Sequence, residues 1–217
     1  TTYLSVQKQF MAEVESATII ANSAAEKGGK CRQIANGAVY IPRETDPFTG
    51  VPIGPRRWIK IHDEKLDALE ELIDEMQGEP LLVAYEFNHD KERLQERFPT
   101  GIFCENVSMV RMKEIEKDWN LGKISVLFTH PQQMGVGLNL QECARAICWF
   151  SLPWSYTDYD QLNRRVWRTG NKFPQVIIHH LVAKGTMDEV VKAALLDREA
   201  NQEKLFSALA KYCKERA

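Results

Sequence analysis

Pro80-Leu81-Leu82-Val83-Ala84-Tyr85 is a short, continuous apolar run. A strand with one wet face alternates apolar and polar residues, whereas a strand covered on both faces stays apolar. The run therefore predicts a strand buried between two layers of helices. Upstream, Leu66, Leu69, Leu72, Ile73 and Met76 recur at helical spacing, with Asp63 placed to cap the helix. Downstream, Asn88 opens a second helix to Phe98, and Gly101-Ile102-Phe103-Cys104 reads as a strand. Ser108 caps a helix through Trp119. Ile124–Phe128 and Ala146–Phe150 are strands, 157–169 is a helix, and Val176–Leu181 is a strand. Thr186-Met187-Asp188-Glu189 fits the S/T-x-x-E capping box and opens a closing helix. Strands alternating with helices predict right-handed crossovers and a mainly parallel α/β sheet. Functional loops then belong at the carboxyl ends of the strands.

This body is expected to occupy residues 62–217. Residues 1–61 read differently. Helical spacing over 3–27 ends at Lys27-Gly28-Gly29-Lys30, a C-cap, and a short helix follows at 30–36. Ala38–Ile41 and Arg57–Ile61 are strands around the turn Asp46-Pro47-Phe48-Thr49-Gly50. An N-terminal helical and hairpin protrusion is the result.

The chain has 217 residues and a net charge of −2, with 44% hydrophobic and 27% charged residues. These are ordinary values for a globular domain, and any nucleic-acid site must come from local clustering. No apolar run approaches the ~18 residues of a membrane span, so no membrane partner is expected. The start, Thr1-Thr2-Tyr3-Leu4, lacks a basic region followed by an apolar one, so no signal peptide is expected, and the missing Met fits a piece of a longer chain. Five scattered cysteines form no C-x-x-C pair, so no metal site is expected and a reducing, cytoplasmic compartment fits. His179 and His180 are adjacent in a strand and face opposite ways, which disfavours a shared metal. Asp63 to Glu79 holds eight acids and one lysine, Lys65, and reads as a solvated helix face.

Two loops carry chemistry. Thr129-His130-Pro131-Gln132-Gln133-Met134-Gly135-Val136-Gly137-Leu138-Asn139-Leu140 follows a strand and offers Gly-x-Gly backbone with neutral hydrogen-bonding side chains. Gln161-Leu162-Asn163-Arg164-Arg165-Val166-Trp167-Arg168-Thr169-Gly170-Asn171 has three arginines and no acid. Arg165 and Arg168, three apart on a predicted helix, share a face. Two such guanidiniums call for an anion between them, and a triphosphate suits arginine's bidentate geometry. Neither a G-x-x-x-x-G-K-[ST] loop nor an acidic pair at a strand end is present: Asp74-Glu75 lies within a helix.

From about 62 to 200 the chain resembles the C-terminal RecA-like lobe of a Swi/Snf-type superfamily-two DNA-dependent ATPase, bacterial or phage branch. Leu82-Val83-Ala84-Tyr85 resembles motif IV, Gly135-Val136-Gly137-Leu138-Asn139-Leu140 motif V, and Gln161-x-x-x-Arg165-x-x-Arg168-x-Gly170 motif VI. Pro153-Trp154-Ser155 stands where that family has an aromatic loop, Lys184-Gly185-Thr186 matches the lead into its closing helix, and Arg32-Gln33-Ile34-Ala35-Asn36 its entry segment. Arg164, Gln133, Met134, Ser151 and Trp167 depart from the family's usual residues.

The resemblance implies the second motor lobe of an ATP-dependent helicase or translocase, working against an N-terminal RecA-like lobe that holds most of the ATP and Mg2+. Arg168 would be the arginine finger and Arg165 its partner, with Gln161, Gly135, Gly137 and Asn139 completing the nucleotide site. Thr129, Gln132, Trp154, Arg56 and Arg57 would contact double-stranded DNA. A non-catalytic RecA-like module that binds nucleic acid or protein, and an enzyme acting on RNA, are the alternatives.

Overall fold

The apolar run at Leu81–Ala84 is the central strand of a five-stranded sheet, fully buried along its length. The computed structural model describes residues 2–9, 11–14, 17–20, 24–135, 139–197, 207–208 and 211. In chain order these form α1 (Thr2–Gln9), β1 (Met11–Val14), β2 (Ala17–Ile20), α2 (Ala24–Ala35), β3 (Ala38–Tyr40) and β4 (Trp58–Lys60). They continue with α3 (Glu64–Glu75), β5 (Leu81–Ala84), α4 (Asn88–Arg97), β6 (Ile102–Phe103), α5 (Met109–Asn120) and β7 (Val126–Thr129). A 3-10 turn at Pro131–Gly135 precedes β8 (Ala146–Trp149), α6 (Tyr156–Val166), β9 (Ile177–His180) and α7 (Met187–Leu196). The strand order is β6-β7-β5-β8-β9, and every pairing is parallel. The predicted RecA-like sheet is present, with separate buried apolar clusters formed on its two faces.

The N-terminal segment differs from expectation. The single helix over 3–27 is replaced by α1, the antiparallel β1–β2 pair and α2. Val14, Thr18, Ile19 and Ile20 are β-branched and favour strand, which the helical spacing masked; Met11–Val14 pairs with Ala17–Ile20. Gly28 and Gly29 are not a C-cap; they lie inside α2. A Cβ at Gly28 would stand 3.4 Å from the Trp154 ring and 3.5 Å from Met187, so the glycine admits close packing. The helix stops instead at Gly37, where φ is +97° and a Cβ would come within 2.1 Å of the His62 carbonyl. The β3–β4 hairpin is antiparallel, as expected.

Two caps also differ. Asp63 precedes α3 without capping it; its carboxylate is drawn to Lys60 at 2.6 Å and Arg93 at 3.0 Å. Asn88 is the first residue of α4, and Asp90 accepts the Phe87 N–H in its place at 3.3 Å. Ser108 and Thr186 cap as predicted, accepting from Arg111 and Asp188.

The acidic α3 is not wholly a solvated face. Lys65 is buried and ion-paired to Asp188 of α7 at 2.6 Å. Its Nζ also donates to Asn36 Oδ1 at 2.7 Å and to the Phe150 carbonyl at 3.3 Å. Asn36 in turn donates to Asp90 Oδ2 at 3.0 Å, which also accepts from Ser151 Oγ at 2.7 Å. Residues on both sides of position 62 thus share one buried polar network. Lys65→Met should destabilise the chain by about 3–5 kcal/mol, because Asp188 is left buried and unpaired; urea unfolding monitored by circular dichroism measures it.

Burial opposes ionisation of Asp90, but the neighbouring His89, Ser151 and Lys65 outweigh it and hold the carboxyl below its ordinary 3.8. A folded value below the unfolded one gives stability that is complete above the unfolded value and lost as pH falls through the folded one. Acid unfolding followed by tryptophan fluorescence should therefore be steeper in the wild type than in Asp90→Asn.

Candidate functional site

The carboxyl end of β8 leads through Phe150–Ser155 into α6. Ser155 caps this helix, accepting the Asp158 N–H at 3.1 Å. Tyr159, Leu162, Asn163 and Val166 form its buried face. The Trp149 indole N–H donates to Asn163 Oδ1 at 3.1 Å, which fixes the helix on the sheet. Gln161 and Arg164 are exposed, and Arg165 is half-buried.

The helix ends at Val166, not at 169. Trp167 leaves helical backbone (ψ 82°) while its N–H still donates to the Asn163 carbonyl, and the Asn171 side chain ties the following turn to the carbonyls of Ala144 and Val166. Arg165 therefore sits in the last helical turn and Arg168 in the turn beyond, rather than on one helix face. Gly170 permits that turn with φ +102°. The two arginines nevertheless line the same open groove of 420 Å³, together with Gln161, Arg164, Trp167 and Thr169. Arg164 pairs with Asp160 at 2.7 Å. Among the described residues, no carboxylate pairs with Arg165 or Arg168.

Motif V meets motif VI here. Arg168 Nη1 donates to Asn139 Oδ1 at 3.4 Å. Asn139 is held from α5: its N–H donates to Glu116 at 3.1 Å and its carbonyl accepts from Asn120 at 2.8 Å. Gly135 closes the 3-10 turn after β7. Gly137 lies outside the described residues.

The expected DNA contacts do not converge on this groove. Thr129 is fully buried and its hydroxyl donates to the His130 carbonyl at 3.2 Å, so the phosphate contact assigned to it is withdrawn. Gln132 is exposed and donates to Asp158 at 3.4 Å. Trp154 is half-buried against the core, with the Arg32 guanidinium 4.7 Å from its ring centroid over one face. Arg56 lies over the Tyr40 ring at 4.1 Å and Arg57 pairs with Glu44 at 3.5 Å, both exposed on the β3–β4 excursion.

Sequence reading missed the buried supports of the site. Arg32 is fully buried and donates to the Leu152 carbonyl at the start of the Pro-Trp-Ser loop. Ser151, noted as a departure, accepts the Glu86 N–H at 2.9 Å and donates to Asp90. The signal was present in Arg32-Gln33-Ile34-Ala35-Asn36, whose polar residues are all buried. His180 hydrogen-bonds the Tyr159 hydroxyl at 2.9 Å, and burial pushes its imidazole down to about 4, leaving it neutral at physiological pH. Among the described residues, no group of three or more His, Cys, Asp or Glu converges to hold a metal, and no helix is long and apolar enough to cross a membrane.

A groove of unneutralised arginines after the fourth of five parallel strands is where comparison becomes informative. Residues 64–170 match the model of the helicase conserved C-terminal domain. That match spans α3 to α6 and four of the five strands, β5 to β8. The chain is 38% identical over 212 residues to protein p41 of Acyrthosiphon pisum secondary endosymbiont phage 1, covering 95% of this chain and 42% of that protein's length. The crystal structure of the C-terminal part of the Fun30 ATPase domain superposes with a TM-score of 0.56 at 19% identity, over 70% of this chain and 53% of that one. The Pyrococcus furiosus Hef helicase domain matches at a TM-score of 0.47 and 20% identity, over 62% of this chain and 29% of that one. The Fun30 likeness is one of fold.

The groove makes a direct prediction. At low salt, inorganic triphosphate should perturb the amide NMR signals of Arg165 and Arg168. The Arg165→Gln/Arg168→Gln double variant should lose that response while keeping its fold.

Proposed function

We propose that this chain is the second motor lobe of an ATP-dependent DNA helicase or translocase of the Swi/Snf type, from the bacterial or phage branch. One observation carries the reading: Arg165 and Arg168, without carboxylate partners among the described residues, share an open groove with Gln161. Like-charged guanidiniums are held together only if the fold or a ligand supplies compensation, and a terminal phosphate supplies it best.

In this reading ATP and Mg2+ are held mainly by a first RecA-like lobe, and the two arginines approach the γ-phosphate from this side. Arg165 and Arg168 supply cations for a phosphate on this side of that division. Arg168 acts as the finger, stabilising charge on the transferring phosphoryl, an effect worth a factor of about 10³–10⁵ in rate. Arg165 grips the same group, and Gln161 senses the nucleotide. Gly135, Gly137 and Asn139 connect that site to the loop after β7. The Arg168–Asn139 hydrogen bond, at 3.4 Å, supports this link by joining the two motifs. Gln132, Arg56 and Arg57 contact the phosphates of double-stranded DNA, giving grip without base information.

The 217-residue chain alone should hydrolyse no ATP above background. In a protein containing both lobes, Arg168→Ala should lower DNA-stimulated hydrolysis by about 10³-fold or more while leaving nucleotide binding nearly intact. Single-turnover ATPase and equilibrium nucleotide binding separate the two effects, and near-normal turnover would refute the finger.

A further inference from the structure

The excursion between β3 and β4 is not absorbed by the lobe. Residues 41–57 form an antiparallel ribbon. Ile41 N–H donates to the Arg57 carbonyl at 3.1 Å, Ile53 N–H to Glu44 at 2.8 Å, and Asp46 N–H to Val51 at 2.9 Å. Thr45 bridges Pro52 between the last two of these bonds. The tip is fixed by Asp46. Its carboxylate accepts the N–H groups of Phe48 and Thr49, both at 2.8 Å, and its carbonyl accepts the Gly50 N–H at 2.8 Å. This well-bonded tip holds Phe48 out into solvent, 95% exposed, with Val51 and Ile53 exposed behind it.

Charge accompanies the aromatic ring. The ribbon carries Arg43, Arg56 and Arg57 against Glu44 and Asp46. Glu44 is engaged by Arg57, and Asp46 is spent on the turn. Three arginines against two acids leave the ribbon with a net +1, on a chain whose net charge is −2. Its base is anchored to α4: the Trp58 indole donates to Glu92 at 2.6 Å, and the Tyr40 hydroxyl accepts the His89 N–H at 3.3 Å. Because α4 begins just after the carboxyl end of β5, the ribbon rises from the end of the sheet that carries Gln132 and the entry to α6.

Cations at the stem and a bare aromatic ring at a hydrogen-bonded tip match the two halves of a nucleotide chain. Arginines neutralise phosphates, and a ring stacks on any base with an accessible face. We infer that the 41–57 ribbon is an aromatic wedge for nucleic acid: Phe48 stacks on an unpaired or unstacked base while Arg43, Arg56 and Arg57 hold the flanking phosphates. The inference rests on the nucleic-acid reading above. It adds to it a residue with no earlier role and a substrate feature, the exposed base face of a fork or strand end.

Fluorescence anisotropy with the 217-residue chain tests it. The probes are a forked DNA duplex with 2-aminopurine at the junction, the matching RNA fork and a blunt DNA duplex. The wild type should bind a fork more tightly than the blunt duplex and change the junction emission. Phe48→Ala should weaken fork binding by about tenfold and abolish the preference, while Phe48→Trp should retain both. Arg43→Gln and Arg57→Gln should weaken fork and blunt duplex alike, each lowering the salt slope by about 1. The DNA and RNA arms show which backbone is preferred. A Phe48→Ala chain that binds forks like the wild type, with unchanged junction emission, overturns the wedge and leaves the motor-lobe reading standing. Loss of binding to a partner protein with nucleic-acid affinity intact reassigns the tip to a protein surface and also overturns it. A wild-type chain with no salt-dependent affinity for any of the three probes overturns both readings.

Discussion

The buried ion pair between Lys65 and Asp188 is the constraint around which this molecule is assembled. A lysine ammonium and a carboxylate taken out of water must meet each other and find further partners. Here those partners come from four other places: Asn36 after α2, the Phe150 carbonyl after β8, the Ala183 N–H before α7, and through Asn36 the Asp90 carboxylate of α4. The requirement to satisfy every member pulls the N-terminal segment, the central strands and the closing helix to one point. That point lies just beyond the carboxyl ends of β5 and β8, directly beneath the loop that launches α6.

The sheet was legible because its strands are covered on both faces. Leu81–Ala84 and Ala146–Trp149 could satisfy their side chains in no other way, so their positions followed from composition alone. The N-terminal segment was not legible, for the opposite reason. Its apolar residues suit helix or strand equally over short windows, and tertiary partners decide between them. Gly28 shows the limit well. Within the sequence it reads as a helix terminus, and only the Trp154 ring and Met187 explain a glycine in the middle of α2.

The site was legible as a set of residue types more than as a geometry. The arginines of motif VI were found by their lack of neighbouring acids, and Arg165 and Arg168 do line one groove. Their arrangement depends on where α6 stops, which is set by the Asn171 side chain reaching back to Ala144 and Val166. Thr129 was misplaced because a sequence does not show which way a residue at a strand end turns. It turns inward, into the sheet, while Trp154 is half-buried against a guanidinium from a helix more than a hundred residues upstream.

The anchoring of the ribbon has a structural consequence. Its base is tied to α4 through Trp58 and Tyr40, and the Tyr40 carbonyl also accepts from Lys30 of α2. Both helices are joined to the Lys65–Asp188 centre through Asn36 and Asp90. A continuous chain of hydrogen bonds thus joins the base of the ribbon, through α4 and Asn36, to the ion pair whose lysine also holds the Phe150 carbonyl on the way to α6.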